Sequence, residues 1–383
     1  MLQTPSWMHG LRGEVVDFDA LPALRSEWES LSRRCAEDNV YYSPRYARAL
    51  LNSVERDTRV RLAIVWDGVE LVALLPFVQR RLRLPAVHAG ARAWQSKYSF
   101  SCTPLLDRRR QSDAAAALVN VLGSVCPGEW IVPRVNTEGD SCKALVAALE
   151  NRGSPWRFAG PFPRASLSRG ASFEEHLSRH ISAKRRKELS RTRRRLEEKG
   201  KVELSSHCDG EGLDKAVAAF LRIEASGWKG DRGTALACGA DTTSFALSAF
   251  TGREGESICR ADVLSLNGVA IAVSLIIFAG STGFTVKGAY DETYRGFSPG
   301  LMLELEVIKS FLTDGWASRL DAATDGAHVI DSLWPDRMEV ADLLFSLAPG
   351  AASVRLAAFG FADALKRQSR NAAKNVLNRL SKS

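Results

Sequence analysis

The stretch DETYRGFSPGLMLELEVIKSF, Asp291–Phe311, joins a turn holding an arginine, two glycines and a Ser-Pro pair to a long apolar run. Ser298 suits the N-cap of a helix, and Pro299 suits its first position, where a missing N–H costs nothing. Those two residues account for a helix start. Gly296 and Gly300 do not fit that account, because glycine costs conformational entropy unless the backbone must approach something closely. An anion at the helix N-terminus is such a partner, and Arg295 stands ready to grip a phosphate there. A helix cap with no ligand is the other reading of the same residues.

Working outward, two hairpin signatures repeat. RLAIVWDGVELVALLPF (Arg61–Phe77) reads as strand, Asp-Gly turn, strand, and RADVLSLNGVAIAVSLIIF (Arg260–Phe278) as strand, Asn-Gly turn, strand. In the second half a strand (STGFTVKGAY), the helix after the Ser-Pro-Gly turn, a stop at Gly315 and a strand (ASRLDAAT) follow. In the first half RRQSDAAAALVNVLG reads as helix and EWIVPRV as strand. A hairpin followed by strand, helix and strand is an α/β layout with a parallel crossover. Its recurrence predicts duplication of one domain, and only the second copy carries the glycine-rich turn. The Gly-, Pro- and Ser-rich stretch from Asn151 to Ser172 marks the boundary. The expected organisation is 1–165, 166–350 and a basic helical tail, 351–383.

Two helix signals stand out locally. DALPALRSEWESLSRRC places Leu21, Leu24, Trp28 and Leu31 on one face. SFEEHLSRHISAKRRKELSRTRRRLEEKG opens the second half as one or two helices, with Ser172 and Glu175 forming a capping box. The chain has 383 residues, 45% hydrophobic and 25% charged, which predicts a globular protein of two domains. No apolar run approaches the ~18 residues of a membrane span. The opening MLQTPSWMHGLRGEVVDF lacks the regions of a signal peptide, so a cytoplasmic enzyme is expected. Seven scattered cysteines, with no C-x-x-C pair, read as reduced thiols rather than disulfides or a zinc site. His176 and His180 lack the glutamate placement of a metalloprotease, so no metal is expected.

Net charge is +8, and it is concentrated. Arg179–Lys201 holds eleven Lys/Arg against three Glu, and Ala364–Ser383 holds six Lys/Arg and no acid. Such runs are usually solvated helix faces. The functional alternatives are an acidic carrier protein or tRNA at 179–201, and contact of the tail with the anionic inner membrane surface.

The segments SAKRRKELSRTRRRLEEKGKVEL, EASGWKGDRGTAL, VKGAYDETYRGFSPGLMLELEVIK and LDAATDGAHVIDSLWPDR resemble the GNAT acyltransferase superfamily. More narrowly they resemble the cellulose-biosynthesis (CelD/BcsL-type) acetyltransferase family. NVYYSPRYARAL, ELVALLPF and KYSFSCTPLL agree more weakly, and the resemblance spans most of residues 15–345. The layout is also similar to the Fem-type peptidoglycan aminoacyltransferases. The resemblance implies two GNAT-like domains in tandem, each a mixed, mostly antiparallel twisted sheet flanked by helices. It implies acetyl-CoA or another acyl-CoA as co-substrate, held at Arg295, Gly296, Phe297, Ser298, Gly300 and Leu301. Two departures are visible: Ser298 stands where the pattern has a glycine, and Pro299 removes one N–H.

Direct acyl transfer needs a base, a polarised carbonyl and a proton for the leaving thiolate, with no covalent nucleophile. Candidate bases are Asp321 and His328, and Tyr290 or Tyr294 is the candidate acid. Each also reads as an ordinary turn or packing residue. Lys287, Trp228 and Lys229 are candidates for the acceptor side. The expected activity is acyl transfer to an amine or hydroxyl, the acceptor being a small molecule or an exopolysaccharide-related glycan. Aminoacyl transfer from tRNA, and an inactive partner of an envelope polysaccharide assembly, are the alternatives.

Overall fold

The structure is a computed structural model that describes residues 6–8, 10–79, 90–252, 257–326, 329–348 and 356. The chain divides into two compact units. The first comprises the described residues of Met1–Tyr42, Arg59–Phe162 and Glu339–Ser383, and the second Ser43–Thr58 and Pro163–Met338. Apart from Leu356, the basic tail expected at 351–383 lies outside the described residues.

In the first unit β1 (Leu11–Asp17), β2 (Arg61–Asp67), β3 (Glu70–Gln79) and β4 (Ala91–Ala93) run antiparallel in that order. β4 then pairs parallel with β5 (Glu129–Asn136), and the Asp336–Ser346 strand closes antiparallel on β5. Helices α1 (Leu21–Arg34), α2 (Gln111–Val125) and α3 (Asp140–Asn151) flank this sheet. Helix α1 buries the predicted stripe Leu21, Leu24, Trp28 and Leu31. The first hairpin departs from its predicted turn by one residue. Asp67 pairs with Glu70, so Gly68 and the exposed Val69 form the loop, and only Gly68 needs a positive φ.

The second unit begins within β6 (Trp156–Ser168), followed by α4 (Phe173–His180) and α5 (Ala183–Glu197). The Ser172–Glu175 capping box forms as read: the serine hydroxyl accepts the Glu175 N–H, and the glutamate accepts the Ser172 N–H. Next come β7 (Val202–His207), α6 (Gly210–Ser226), α7 (Ala240–Phe250), β8 (Cys259–Leu266), β9 (Val269–Ala279), β10 (Thr282–Tyr290), α8 (Pro299–Asp314) and β11 (Arg319–Asp321). The sheet order is β7-β8-β9-β10-β11-β6, antiparallel except for the β10–β11 pair. The β8–β9 turn is Asn267–Gly268, both with positive φ, as the Asn-Gly signature demands.

Each unit is thus a mixed, mostly antiparallel sheet flanked by helices, and both follow one sequence of pairings. An antiparallel hairpin leads to a third strand, then a helix, then a strand parallel to the third. Helix α8 buries Met302, Leu303, Val307, Ile308 and Phe311, and Gly315 ends it in the left-handed conformation a C-cap favours. Truncating the fully buried Phe311 to alanine would cost about 3–5 kcal/mol.

Candidate functional site

Two local irregularities open a cavity in the second unit. In β10 the partner of Leu275 is Lys287 and that of Ile276 is Thr285, so Val286 is an extra residue, a β-bulge. Strand β11 pairs with β10 only from Thr282 to Phe284. Beyond that point Val286–Tyr290 and Ala322–Thr324 line a cavity of about 430 Å³, together with Gly300, Leu301 and Glu304 of α8. The hydroxyls of Thr285 and Thr324 line it too and, among the described residues, are buried without a hydrogen-bond partner.

The glycine-rich turn differs from its prediction in detail. Ser298 does occupy the N-cap position, but its backbone is left-handed (φ 52°, ψ 52°) and its side chain makes no cap bond. Its carbonyl accepts the N–H groups of Leu301 at 3.0 Å and Met302 at 3.1 Å. The Leu301 N–H is therefore engaged inside the turn. Gly296 has open space around its Cα, whereas a Cβ at Gly300 would come within 3.3 Å of the Tyr290 ring. A side chain at Gly300 would press on the Tyr290 ring, which would have to give by a few tenths of an ångström, whereas one at Gly296 would meet nothing. Arg295 is exposed and makes no side-chain hydrogen bond or ion pair among the described residues. Phe297 carries Arg195 of α5 and Lys199, just past the end of that helix, over its ring, at 5.6 and 5.8 Å. The basic helix thus reaches the turn itself.

Asp321 lies outside the cavity lining and is 3% exposed. One carboxylate oxygen accepts the Ala323 N–H at 2.7 Å, and the other faces buried Arg164 at 3.5 Å. Ala323 has φ 49°, a strained value for alanine, and the Asp321 bond holds it there. Both carboxylate oxygens are thus engaged within the chain, one of them by the Ala322–Thr324 wall itself. His328 lies outside the described residues. Tyr290 lines the cavity beside Gly300, while Tyr294 packs against the core of this unit. Lys229 and Lys287 line the cavity. Trp228 is not in its lining; it is half exposed, with Arg232 over its ring at 5.2 Å.

Sequence reasoning missed Glu304. It sits one turn along α8 from Gly300, on the same face, which is the signal that could have found it. Burial pushes its carboxyl up to about 7, against the pull of the Trp334 Nε1–H, which donates to it at 2.8 Å, and with a smaller push from Asp262. The thiols offer no competing nucleophile in the core. Burial raises Cys35 and Cys142 to about 12 and Cys102 to about 11. Among the described residues no cluster of three His, Cys, Asp or Glu side chains gathers, and no helix is long and apolar enough to cross a membrane.

Residues 183–328, which span the turn, α8 and most of the cavity wall, match the acetyltransferase (GNAT) domain family. These residues are a GNAT acetyltransferase domain. The GNAT domain makes the chain a transferase. No curated protein gives a significant sequence match. Among solved structures, FemX is similar over 79% of this chain and 87% of its own, at 11% identity and a TM-score of 0.51. The C-terminal domain of a putative lysylphosphatidylglycerol synthetase from Agrobacterium fabrum is similar over 89% and 96%, at 12% identity and 0.52. L-PGS from Bacillus licheniformis is similar over 88% and 95%, at 11% identity and 0.50. At these identities the likeness is one of fold.

Proposed function

We propose that the GNAT domain transfers an acyl group from acyl-CoA directly to an amine or hydroxyl, with Glu304 as general base. The observation that carries this reading is a carboxyl poised near neutrality inside the cavity, one helical turn from Gly300. Gly300 and the positive end of α8, with Arg295, would take the pyrophosphate. Glu304 accepts the proton of the acceptor nucleophile as it attacks the thioester carbonyl. The new C–N or C–O bond forms, the C–S bond breaks, and the thiolate takes a proton, for which Tyr290 is the nearest candidate named by the turn. The resemblance to the cellulose-biosynthesis acetyltransferases supports a small-molecule or polysaccharide-related acceptor and an enzyme that works in the cytoplasm.

Calorimetric and thermal-shift binding of acetyl-CoA, longer acyl-CoAs and CoA tests the donor, on wild type and on Gly300→Asp. That variant adds bulk against Tyr290 and a negative charge at the helix start, and should weaken binding at least tenfold. No binding of any CoA species to a folded wild type would overturn the reading.

One observation favours a second donor. Arg195 and Lys199, at and just past the C-terminal end of α5, join the basic face of that helix to the turn, and a polyanion such as aminoacyl-tRNA fits that track better than a single cofactor does. Product formation that depends on charged tRNA and not on acyl-CoA would establish it.

A further inference from the structure

Glu224 of α6 is the centre of a buried charge cluster that the acyl-transfer chemistry does not use. Its side chain is 1% exposed. One carboxylate oxygen accepts the Leu236 N–H at 2.9 Å. The other meets two ammonium groups, Lys229 at 2.9 Å and Lys287 at 3.6 Å. Burial raises the Glu224 carboxyl, but Lys287, the Leu236 N–H and Lys229 together hold it below the ordinary carboxylate value, so it is ionised. Two lysines thus meet one carboxylate oxygen, and both line the cavity.

Neither lysine is a casual surface residue. Lys229 is fixed by its backbone, because its carbonyl accepts the N–H groups of Thr234 at 2.8 Å and Ala235 at 3.1 Å. The next residue must be glycine, since a Cβ at Gly230 would sit 1.7 Å from the Ala225 carbonyl oxygen. Lys287 directly follows the bulged Val286, the irregularity that re-aims side chains on β10. Their side chains are 28% and 23% exposed. Paired like charges in a partly buried wall are costly unless a counter-charge joins them. The charged side chains of the cavity lining are Lys229, Lys287 and Glu304, and Glu304, raised to about 7 by burial, carries only part of a negative charge at neutral pH.

We infer that the acceptor is an anionic amine or alcohol, whose carboxylate or phosphate docks on Lys229 and Lys287 while its nucleophile faces Glu304. This rests on the acyl-transfer reading for the word acceptor, but the anion site itself does not. The Thr285 and Thr324 hydroxyls supply further donors in the same cavity.

Two measurements on the full chain test it. In the first, protein carrying reductively ¹³C-methylated lysines is titrated with acetate and with inorganic phosphate. Two lysine resonances should shift saturably, one missing in Lys229→Met and the other in Lys287→Met. If neither responds to either anion, the inference is wrong. In the second, transfer from acetyl-CoA is compared on matched acceptors: glycine against glycinamide, and glucosamine 6-phosphate against glucosamine. The anionic member of at least one pair should show kcat/KM about tenfold higher or more. The ratio should fall to about one in Lys287→Met and persist in Lys287→Arg, which keeps the charge. Equal rates on both members, or a preference for succinyl-CoA over acetyl-CoA with neutral acceptors, would put the anion elsewhere and overturn the assignment. Resonances that respond while no acceptor is acylated would sink acyl transfer and leave the anion site standing.

Discussion

The two units repeat one layout and differ in how their crossover helices begin. Just before α2, Asp107 is buried, and its carboxylate accepts the Arg109 N–H at 2.9 Å, Arg109 Nε at 3.1 Å and Arg34 Nε at 2.6 Å. Arg110, the N-cap residue, is tied to Asp67 and Asp113. The first unit has thus turned a helix start into a closed ion cluster supplied by the chain itself. Before α8, Arg295 stays exposed, Gly300 keeps the backbone approachable, and the helix start opens on a cavity. Six residues into α2 stands Ala116; six residues into α8 stands Glu304. The same scaffold can be sealed or functional depending on a handful of side chains at one helix end.

The largest expected effect comes from Glu304→Gln, which keeps an acceptor for Trp334 and removes the base. Transfer should fall by about 10²–10⁴-fold. In the wild type the rate should rise with pH through about 7, as the carboxyl ionises, and this limb should vanish in the variant. Stability should move the other way. The folded carboxyl titrates above its unfolded value, so its ionisation opposes folding: the wild type is unpenalised below pH ~4 and loses stability as pH rises through about 7. Glu304→Gln should therefore be more stable than wild type above pH 7, by on the order of 2 kcal/mol, and little different at pH 4. A variant with undiminished transfer would remove the distinction drawn between α2 and α8.

Next comes Asp107→Ala in the first unit. It strands Arg34 and Arg109 and should cost about 3 kcal/mol in chemical denaturation. Burial alone would raise the Asp107 carboxyl, but the bonds from Arg109 and Arg34 bring it to about 2. Its folded value lies below its unfolded one. The contribution is thus complete above pH ~4 and disappears as pH falls through 2. Donor affinity, measured where the variant remains folded, should be unchanged. A loss of donor binding would mean that the sealed helix start takes part in function after all.

Much of this was legible in the sequence because it is written in short-range patterns. The Asn267–Gly268 turn, the stripe Leu21, Leu24, Trp28, Leu31 and the Ser172–Glu175 capping box each depend on residues within a few positions of one another. The site was legible as a place, through the Ser-Pro-Gly turn, and less so as chemistry. Glu304 looks like any polar residue on a half-buried helix until Trp334, thirty positions on, covers it. Asp321 reads as a free carboxylate until Arg164, from β6, faces it. Lys229 and Lys287 meet only because both reach Glu224. Ser298 was expected to cap with its hydroxyl; the left-handed backbone lets its carbonyl take two N–H groups instead. Burial and pairing across long sequence separations carry no local signature.

The smallest expected effect concerns the cations at the open helix start. Arg195 and Lys199 are exposed, and water and salt screen them, so Arg195→Ala with Lys199→Ala should weaken acyl-CoA binding by less than about threefold. A polyanionic donor would respond differently. Each lost phosphate contact lowers the slope of log K against log salt by about 1, so the double variant would flatten the slope for charged tRNA by up to about 2. In the first unit, Arg109→Ala supplies the matched control, because that side chain is already engaged by Asp107 and Glu70. A flattened slope from the Arg195 and Lys199 pair alone would show that the open helix start of the second unit extends into a docking track. It would also move the donor from acyl-CoA to tRNA, with the rest of the cavity chemistry unchanged.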